Sequence, residues 1–173
     1  ILQRMREFLR RGQPDRRATR WDHVVYGAQM LLAPYASEKR VLIETSAEDN
    51  LPLVLCDRVQ IEQVLVNLGS NAIDAIAATQ RADGRIRIEA THTRDDTYVE
   101  IRVKDNGPGI DPSLAGTLFN AMTTTRQDGL GLGIAICASI VESHHGRLWL
   151  ETSQPGNTEF RFTIPAVPKG DPA

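Results

Sequence analysis

From Gln63 to Ile76 the chain reads QVLVNLGSNAIDAI, a helical pattern that is apolar over most of its circumference. A helix of that kind has to be packed from nearly every side, so the rest of the chain must build layers around it. The exception is a polar stripe. Gln60, Gln63, Asn67, Asn71 and Asp74 fall within an arc of about 80° at 3.6 residues per turn. Val64, Leu68 and Ala75 flank the stripe on one side, and Val66 and Ser70 on the other. A solvated stripe would be wider and would carry Lys and Glu, whereas amides and carboxylates buried without partners cost about 1–3 kcal/mol each. The stripe therefore either faces a ligand or is satisfied within the protein, and this helix alone leaves both readings open.

The layers are legible around it. Asp57, with Gln60 three residues on, caps the long helix, and Thr19 with Asp22 is expected to cap an earlier one through HVVYGAQMLLAPYASE, which Pro34 bends or ends. RVLIETS and LPLVLC read as strands, RIRIEATHT and TYVEIRVKD as an antiparallel hairpin over RDD, and GRLWLET and TEFRFTIP as two final strands. GIAICASIVESHHG is a helix closed by Gly146. The expectation is an α+β fold: a two-layer sandwich of a mixed, mostly antiparallel sheet with helices on one face.

Outside these elements, Ile1, Leu2, Met5, Phe8 and Leu9 mark ILQRMREFLRR as an amphipathic helix end, so residues 1–11 are expected to finish a preceding domain, with 12–19 a linker and 20–166 the main domain. Residues 167–173 are expected to be a disordered tail. Residues 106–131, rich in Gly, Pro and Thr around LAGTLFNAM, suggest a mobile loop with a helical turn inside it.

Composition excludes more than it assigns. Twenty basic residues against 22 acidic ones leave a net charge of -2, which gives no reason to expect nucleic acid or an anionic membrane. The basic QRMREFLRRGQPDRRATR reads as a solvated helix end and linker. Cys56 and Cys137 lie in apolar runs without metal-ligand spacing, as core residues of a reduced, cytoplasmic protein do. No stretch has the 18 apolar residues of a membrane span, and the initial Ile suggests a piece of a longer protein, in which membrane or sensory parts are expected.

Two further motifs carry chemistry. DNGPGI, Asp105 to Ile110, follows a strand; Gly107 and Gly109 permit a sharp turn and the approach of a flat ligand, and the Asp105 carboxylate can accept from an exocyclic amine, although the same composition also makes an ordinary turn. GLGLGIAIC places glycines 129, 131 and 133 at a helix start, where free N–H groups and the helix dipole suit phosphate. It lacks the preceding strand of a dinucleotide fingerprint and the Lys-Ser/Thr of a P-loop.

The order of these signals, an Asn-rich helix, Asp-x-Gly-x-Gly, a Phe- and Thr-rich loop and then Gly-x-Gly-x-Gly, resembles the ATP-binding catalytic domain of sensor histidine kinases. That domain has the Bergerat fold shared with DNA gyrases, heat-shock chaperones and mismatch-repair ATPases of the MutL type. DRVQIEQVLVNLGSNAIDAI and TTTRQDGLGLGIAI look most like oxygen-sensing and dicarboxylate-sensing bacterial kinases. The resemblance covers about residues 20 to 165. It implies that Asn67 and Asn71 hold Mg2+ and the triphosphate of ATP, and that Asp105 reads adenine with Gly107, Gly109 and Ile110 as its turn. By the same resemblance Phe119, Thr124, Thr125 and Arg126 form a lid in which Arg126 offsets phosphate charge. Gly129, Leu130, Gly131, Leu132 and Gly133 would face phosphate, and Thr158 would support adenine through water.

Three departures bear on the chemistry. Asn67 stands where hydrolytic members carry a glutamate, Met122 replaces a commoner phenylalanine, and Asp74 stands where many kinases are basic, which favours a role through the metal's water over direct phosphate contact. None of His23, His92, His144 and His145 has the surroundings of a phosphoacceptor; they are expected to be exposed or capping. The resemblance further implies as partners a separate dimerisation domain bearing the histidine and a response regulator receiver domain, with a homodimeric parent and a monomeric fragment. A hydrolytic ATPase and a non-enzymatic nucleotide-binding module are the alternatives.

Overall fold

The computed structural model describes residues 14–119 and 133–168. In chain order the elements are β1 (Arg17–Thr19), α1 (Trp21–Glu38), β2 (Leu42–Ala47), β3 (Val54–Cys56), α2 (Arg58–Ala78), β4 (Arg85–His92), β5 (Tyr98–Asp105), a single turn α3 (Pro112–Ala115), α4 (Gly133–Ser143), β6 (Leu148–Gln154) and β7 (Asn157–Pro165). Five strands form one sheet in the order β2-β4-β5-β7-β6, with β2 parallel to β4 and every other pair antiparallel. The mixed, mostly antiparallel sheet expected from the alternating segments is therefore present.

Alternation decides which face is covered. Ile86, Ile88 and Ala90 of β4, Val99, Ile101 and Val103 of β5, and Phe160, Phe162 and Ile164 of β7 all point to one side and are buried. The opposite side carries ion pairs such as Arg87–Glu44 at 2.9 Å and Arg102–Glu100 at 2.9 Å. Helix α2 packs between α1 and α4 over the apolar side. That position explains the near-complete apolar surround of its sequence: Ile61, Val64, Leu65, Leu68, Ala72, Ile73 and Ile76 are all buried. Burying a large aliphatic side chain contributes about 1.5–3 kcal/mol, so α2 is the central stabilising element. Its approach to α1 is close enough that a Cβ on Gly69 would meet the Leu32 side chain at 2.6 Å.

The cap expected of Asp57 is present, its carboxylate accepting from the Gln60 N–H at 3.3 Å. The cap expected of Thr19 is not. Arg20 holds the cap position of α1 without a side-chain cap bond, because Thr19 ends β1 and its hydroxyl donates to the Arg17 carbonyl at 3.0 Å; Asp22 is engaged by Arg20 instead. Nor does Pro34 end α1, which runs on to Glu38. Pro34 is exposed, so the carbonyl it leaves unpaired one turn back can face water.

Two boundaries also differ from expectation. Residues 17–19 of the expected linker pair with β3 in a separate two-stranded sheet, a pairing that so short and polar a segment does not announce. The expected tail begins tied down: the Ala166 N–H donates to the Thr97 carbonyl at 2.9 Å and the Val167 N–H to the Leu53 carbonyl at 2.8 Å. Backbone pairing, which needs no particular side chains, holds both segments.

His144, expected to be exposed or capping, is fully buried and caps the end of α4. Its Nε2 accepts from the Asp57 N–H at 3.0 Å and its Nδ1–H donates to the Ile140 carbonyl at 2.8 Å, joining the end of α4 to the start of α2. Burial holds its pKa below the ordinary value. Gly146 closes α4 as expected, its N–H returning to the Val141 carbonyl, and a Cβ there would meet the Thr163 carbonyl oxygen at 1.8 Å.

Candidate functional site

Along α2 the polar stripe meets two other elements in turn. The Asn67 side chain is hydrogen-bonded to the Cys137 thiol of α4. That thiol donates to the Val64 carbonyl at 3.8 Å. One turn on, the Asn71 amide nitrogen lies 3.7 Å from the place a Cβ on Gly133 would occupy, at the first residue of α4. A further turn on, Ala75 and Ile76 lie 3.6 and 3.5 Å from the corresponding place on Gly107. The Asn residues, the start of α4 and the DNGPGI turn therefore border one site. Asn67, Asn71 and Asp74 are half-buried there, and the Tyr35 hydroxyl of α1 donates to the Asp74 carboxylate.

Asp105 ends β5 and is only 7% exposed. Its Oδ1 accepts from the Gly107 N–H at 2.8 Å, and Thr158, opposite it in register on β7, gives it a side-chain hydrogen bond. Burial pushes its pKa up to about 6, and these two hydrogen bonds oppose the rise. The turn that follows is stapled on both sides. Gly156 N–H donates to the Gly107 carbonyl at 2.7 Å, and Ile110 N–H to the Ser153 hydroxyl at 2.8 Å. The Asn106 side chain accepts from Arg85 N–H at 2.8 Å and donates to the Asp83 carbonyl at 2.8 Å. Gly109 adopts φ +85° with backbone 3.0 Å from its absent Cβ, so glycine is required there.

Phe119 is half-buried against the core. Thr124, Thr125, Arg126, Gly129, Leu130, Gly131 and Leu132 lie outside the described residues, as do Met122 and residues 1–11. Of the residues singled out from sequence, the structure brings Asn67, Asn71, Asp105, Gly107, Gly133 and Thr158 together, with Gly109 and Ile110 fixing the turn, while Asp74 meets Tyr35 of α1. Sequence reasoning missed Tyr35, Cys137, Asn106 and Ser153. Asn106 sat inside a motif already noted; the other three resemble ordinary core or surface residues and carry no signal of their own. A cavity of about 960 Å3 opens beside β1 and β3, but it reaches only the first turn of α2, from Asp57 to Gln60.

The donor set suits a hard cation, since Asn67, Asn71 and Asp74 present oxygen ligands on one helix face. Among the described residues no cluster of three His, Cys, Asp or Glu forms a protein cage. A cation held here would share its shell with water and phosphate, as Mg2+ commonly does. No helix among the described residues is long and apolar enough to cross a membrane.

Known proteins of similar sequence and fold are sensor proteins and kinases. Sensor protein FixL of Bradyrhizobium diazoefficiens is 39% identical over 96% of this chain, and the C4-dicarboxylate transport sensor protein DctS of Rhodobacter capsulatus 37% over all of it. The chain spans only 32% and 26% of those two relatives' lengths. Full-length ShkA, solved in complex with AMPPNP, superimposes with a TM-score of 0.79 at 25% identity, over 91% of this chain and 32% of that one. The model of the histidine kinase-, DNA gyrase B-, and HSP90-like ATPase family matches residues 56–168, from the strand before α2 to just beyond β7, and it is to this family that the chain belongs.

Proposed function

We propose that this is the ATP- and Mg2+-binding catalytic domain of a two-component sensor histidine kinase. It delivers the γ-phosphoryl group of ATP to a histidine on a separate dimerisation domain, for relay to a response regulator aspartate. The observation that carries the reading is the meeting, on one face of α2, of half-buried Asn67 and Asn71 with the start of α4 and the turn after buried Asp105.

In this reading the ionised Asp105 carboxylate accepts from the adenine amino group while Thr158 holds it in place. Gly107, Gly109 and Ile110 give the base a flat backbone wall. Asn67 and Asn71 bind the metal-bound triphosphate, and Gly129 to Gly133 donate backbone N–H groups to phosphate. Phe119, Thr124, Thr125 and Arg126 close over it. Mg2+, when bound, supplies charge neutralisation at the phosphates; the protein's own share is positioning, as is general for phosphoryl transfer. Asn67 provides no general base, which disfavours a hydrolytic ATPase. The domain works in the cytoplasm, where ATP is available, within a homodimeric parent.

Isothermal titration with an ATP analogue and Mg2+ tests the binding step. Micromolar affinity abolished by Asp105→Ala is expected; no heat from a folded sample overturns the reading in favour of an interaction module. Labelled ATP tests the transfer: the isolated domain stays unlabelled on histidine, and the parent's dimerisation domain supplied in trans becomes labelled. Self-labelling, or turnover of ATP several times per minute without a partner, contradicts it.

A further inference from the structure

The face of the sheet turned away from the helices gathers cations at one end. A cavity of about 250 Å3 opens there, behind the turn that follows Asp105, lined by Arg85 and Arg87 of β4, Lys104 of β5, Asp83, Asn106 and Gly156. Arg87 and Lys104 are directly opposite each other in the antiparallel register, and like charges so placed destabilise a sheet. Their neighbours do not cancel them. Arg85 and Arg87 share one carboxylate, Glu44, whose Oε2 lies 3.7 Å from the first and 2.9 Å from the second. Asp83 is engaged by Arg81 at 2.7 Å, and Glu159, opposite Lys104 on β7, by Arg161 at 2.5 Å. Lys104 is exposed and has no ion pair or side-chain hydrogen bond among the described residues. Asp105 borders the cavity too, but it is only 7% exposed and its carboxylate is occupied by Gly107 and Thr158. At and beside the cavity Arg81, Arg85, Arg87 and Lys104 thus stand against two exposed carboxylates, Asp83 and Glu44, in a chain whose net charge is -2.

We propose that this cavity is a binding site for a small anion with phosphate oxygens, separate from the proposed nucleotide site. Arginine forks and a lysine ammonium are the usual partners of phosphate. The cations approach from two strands, Arg85 and Arg87 from β4 and Lys104 from β5, so the ligand needs oxygens pointing to both. A tetrahedral phosphoryl group has them; a single planar carboxylate satisfies one fork. The anion relieves the opposition of Arg87 and Lys104 and takes the charge that Glu44, shared between two arginines, leaves over. Asn106 ties the cavity to the turn: its side chain accepts from Arg85 N–H at 2.8 Å and its carbonyl from the Arg81 guanidinium. An anion held here therefore rests against the outer side of the turn that follows Asp105.

NMR titration of the isotope-labelled protein with sodium pyrophosphate, in EDTA and at fixed ionic strength, tests this. Backbone signals of Lys104, Asn106 and Gly156 are expected to shift together, with a dissociation constant on the order of 1 mM or below. Lys104→Gln and Arg85→Gln each weaken that binding by about threefold to tenfold. Arg102→Gln removes the same charge from the same face of the sheet, where Arg102 pairs with Glu100 away from the cavity, and leaves the affinity at the wild-type value. Equal weakening by all three variants marks a general attraction to the face and overturns the proposal, as does the absence of shifts in a folded sample. Shifts confined to Gly133 and the side-chain amides of Asn67 and Asn71 place pyrophosphate in the nucleotide site and also overturn it. A glutamate-rich peptide that binds here more tightly than pyrophosphate overturns it in favour of a protein partner. No arm of the test uses ATP, so failure of the proposed function leaves its result standing.

Discussion

The adenine end of the site and its phosphate end are built differently. Around Asp105 nearly every hydrogen bond has a backbone group at one end. Gly107 N–H is on the carboxylate, Gly156 N–H is on the Gly107 carbonyl, and Ser153 and Asn106 pin the turn from either side. On the stripe of α2 Asn67, Asn71 and Asp74 are half-buried, and two of them meet a side chain from another helix, Asn67 that of Cys137 and Asp74 that of Tyr35. Backbone fixing presents a finished shape to a rigid base. Side-chain fixing leaves oxygen lone pairs for a cation and phosphates to complete, and it is easier to perturb one member at a time.

Four experiments break or sharpen that contrast, from the largest effect to the smallest. Asp105→Ala removes a hydrogen bond to a charged group and leaves the Gly107 N–H unpaired. A loss of about 2–4 kcal/mol of ATP affinity follows, roughly 30-fold to 1000-fold. Gly109→Ala forces a Cβ against the Gln154–Pro155 backbone at a left-handed φ, and about 1–3 kcal/mol of strain should appear as weaker adenosine binding and a lower Tm.

The third experiment is a pH titration. Asp105 is raised by burial from 3.8 to about 6, so its adenine-binding carboxylate form is lost as pH falls through that value. Adenosine affinity should drop about tenfold from pH 7 to pH 5. The unliganded protein runs the other way at this group, because the folded state holds the proton more tightly than the unfolded one between about 4 and 6. Asp105 therefore weighs less against folding at pH 4 than at pH 7. His144, held low by burial, has the opposite sign: its contribution is present above the unfolded value of about 6.5 and is lost as pH falls through its lower folded pKa. Comparing Tm against pH in the wild type and Asp105→Asn separates the two groups.

The smallest effect is expected from Cys137→Val, which keeps the packing but removes the thiol that meets the Asn67 side chain. Mg2+-dependent affinity for the ATP analogue should weaken by about twofold to fivefold, the low end of one hydrogen bond, with adenosine binding unchanged. Equal losses for both ligands would erase the distinction between the two ends.

Much of this architecture was legible in the sequence because it is carried by periodicity and by glycine. The all-round apolar pattern of α2 marked it as central, the period-two strands defined the sheet, and the order of the motifs holding Asn67, Asn71, Asp105 and Gly133 marked, through a family resemblance, residues that the fold assembles. What escaped notice is held by backbone or by single side chains with no periodic signature. β1 is three residues of pairing on β3; Val167 is fixed by one N–H; His144 looks like a helix-end histidine until the Asp57 N–H is found against it. Tyr35 and Asp74 are distant in sequence and meet only because α1 packs along α2.

The central claim is that the α2 stripe, the turn after Asp105 and the start of α4 enclose one nucleotide. NMR titration of labelled protein with a non-hydrolysable ATP analogue and Mg2+ tests it most directly. Side-chain amide signals of Asn67 and Asn71 and backbone signals of Gly107 and Gly133 should shift together along curves that give one dissociation constant. Shifts confined to the cavity between Asp15 and Gln60, or none at all in a folded sample at millimolar ligand, would contradict it.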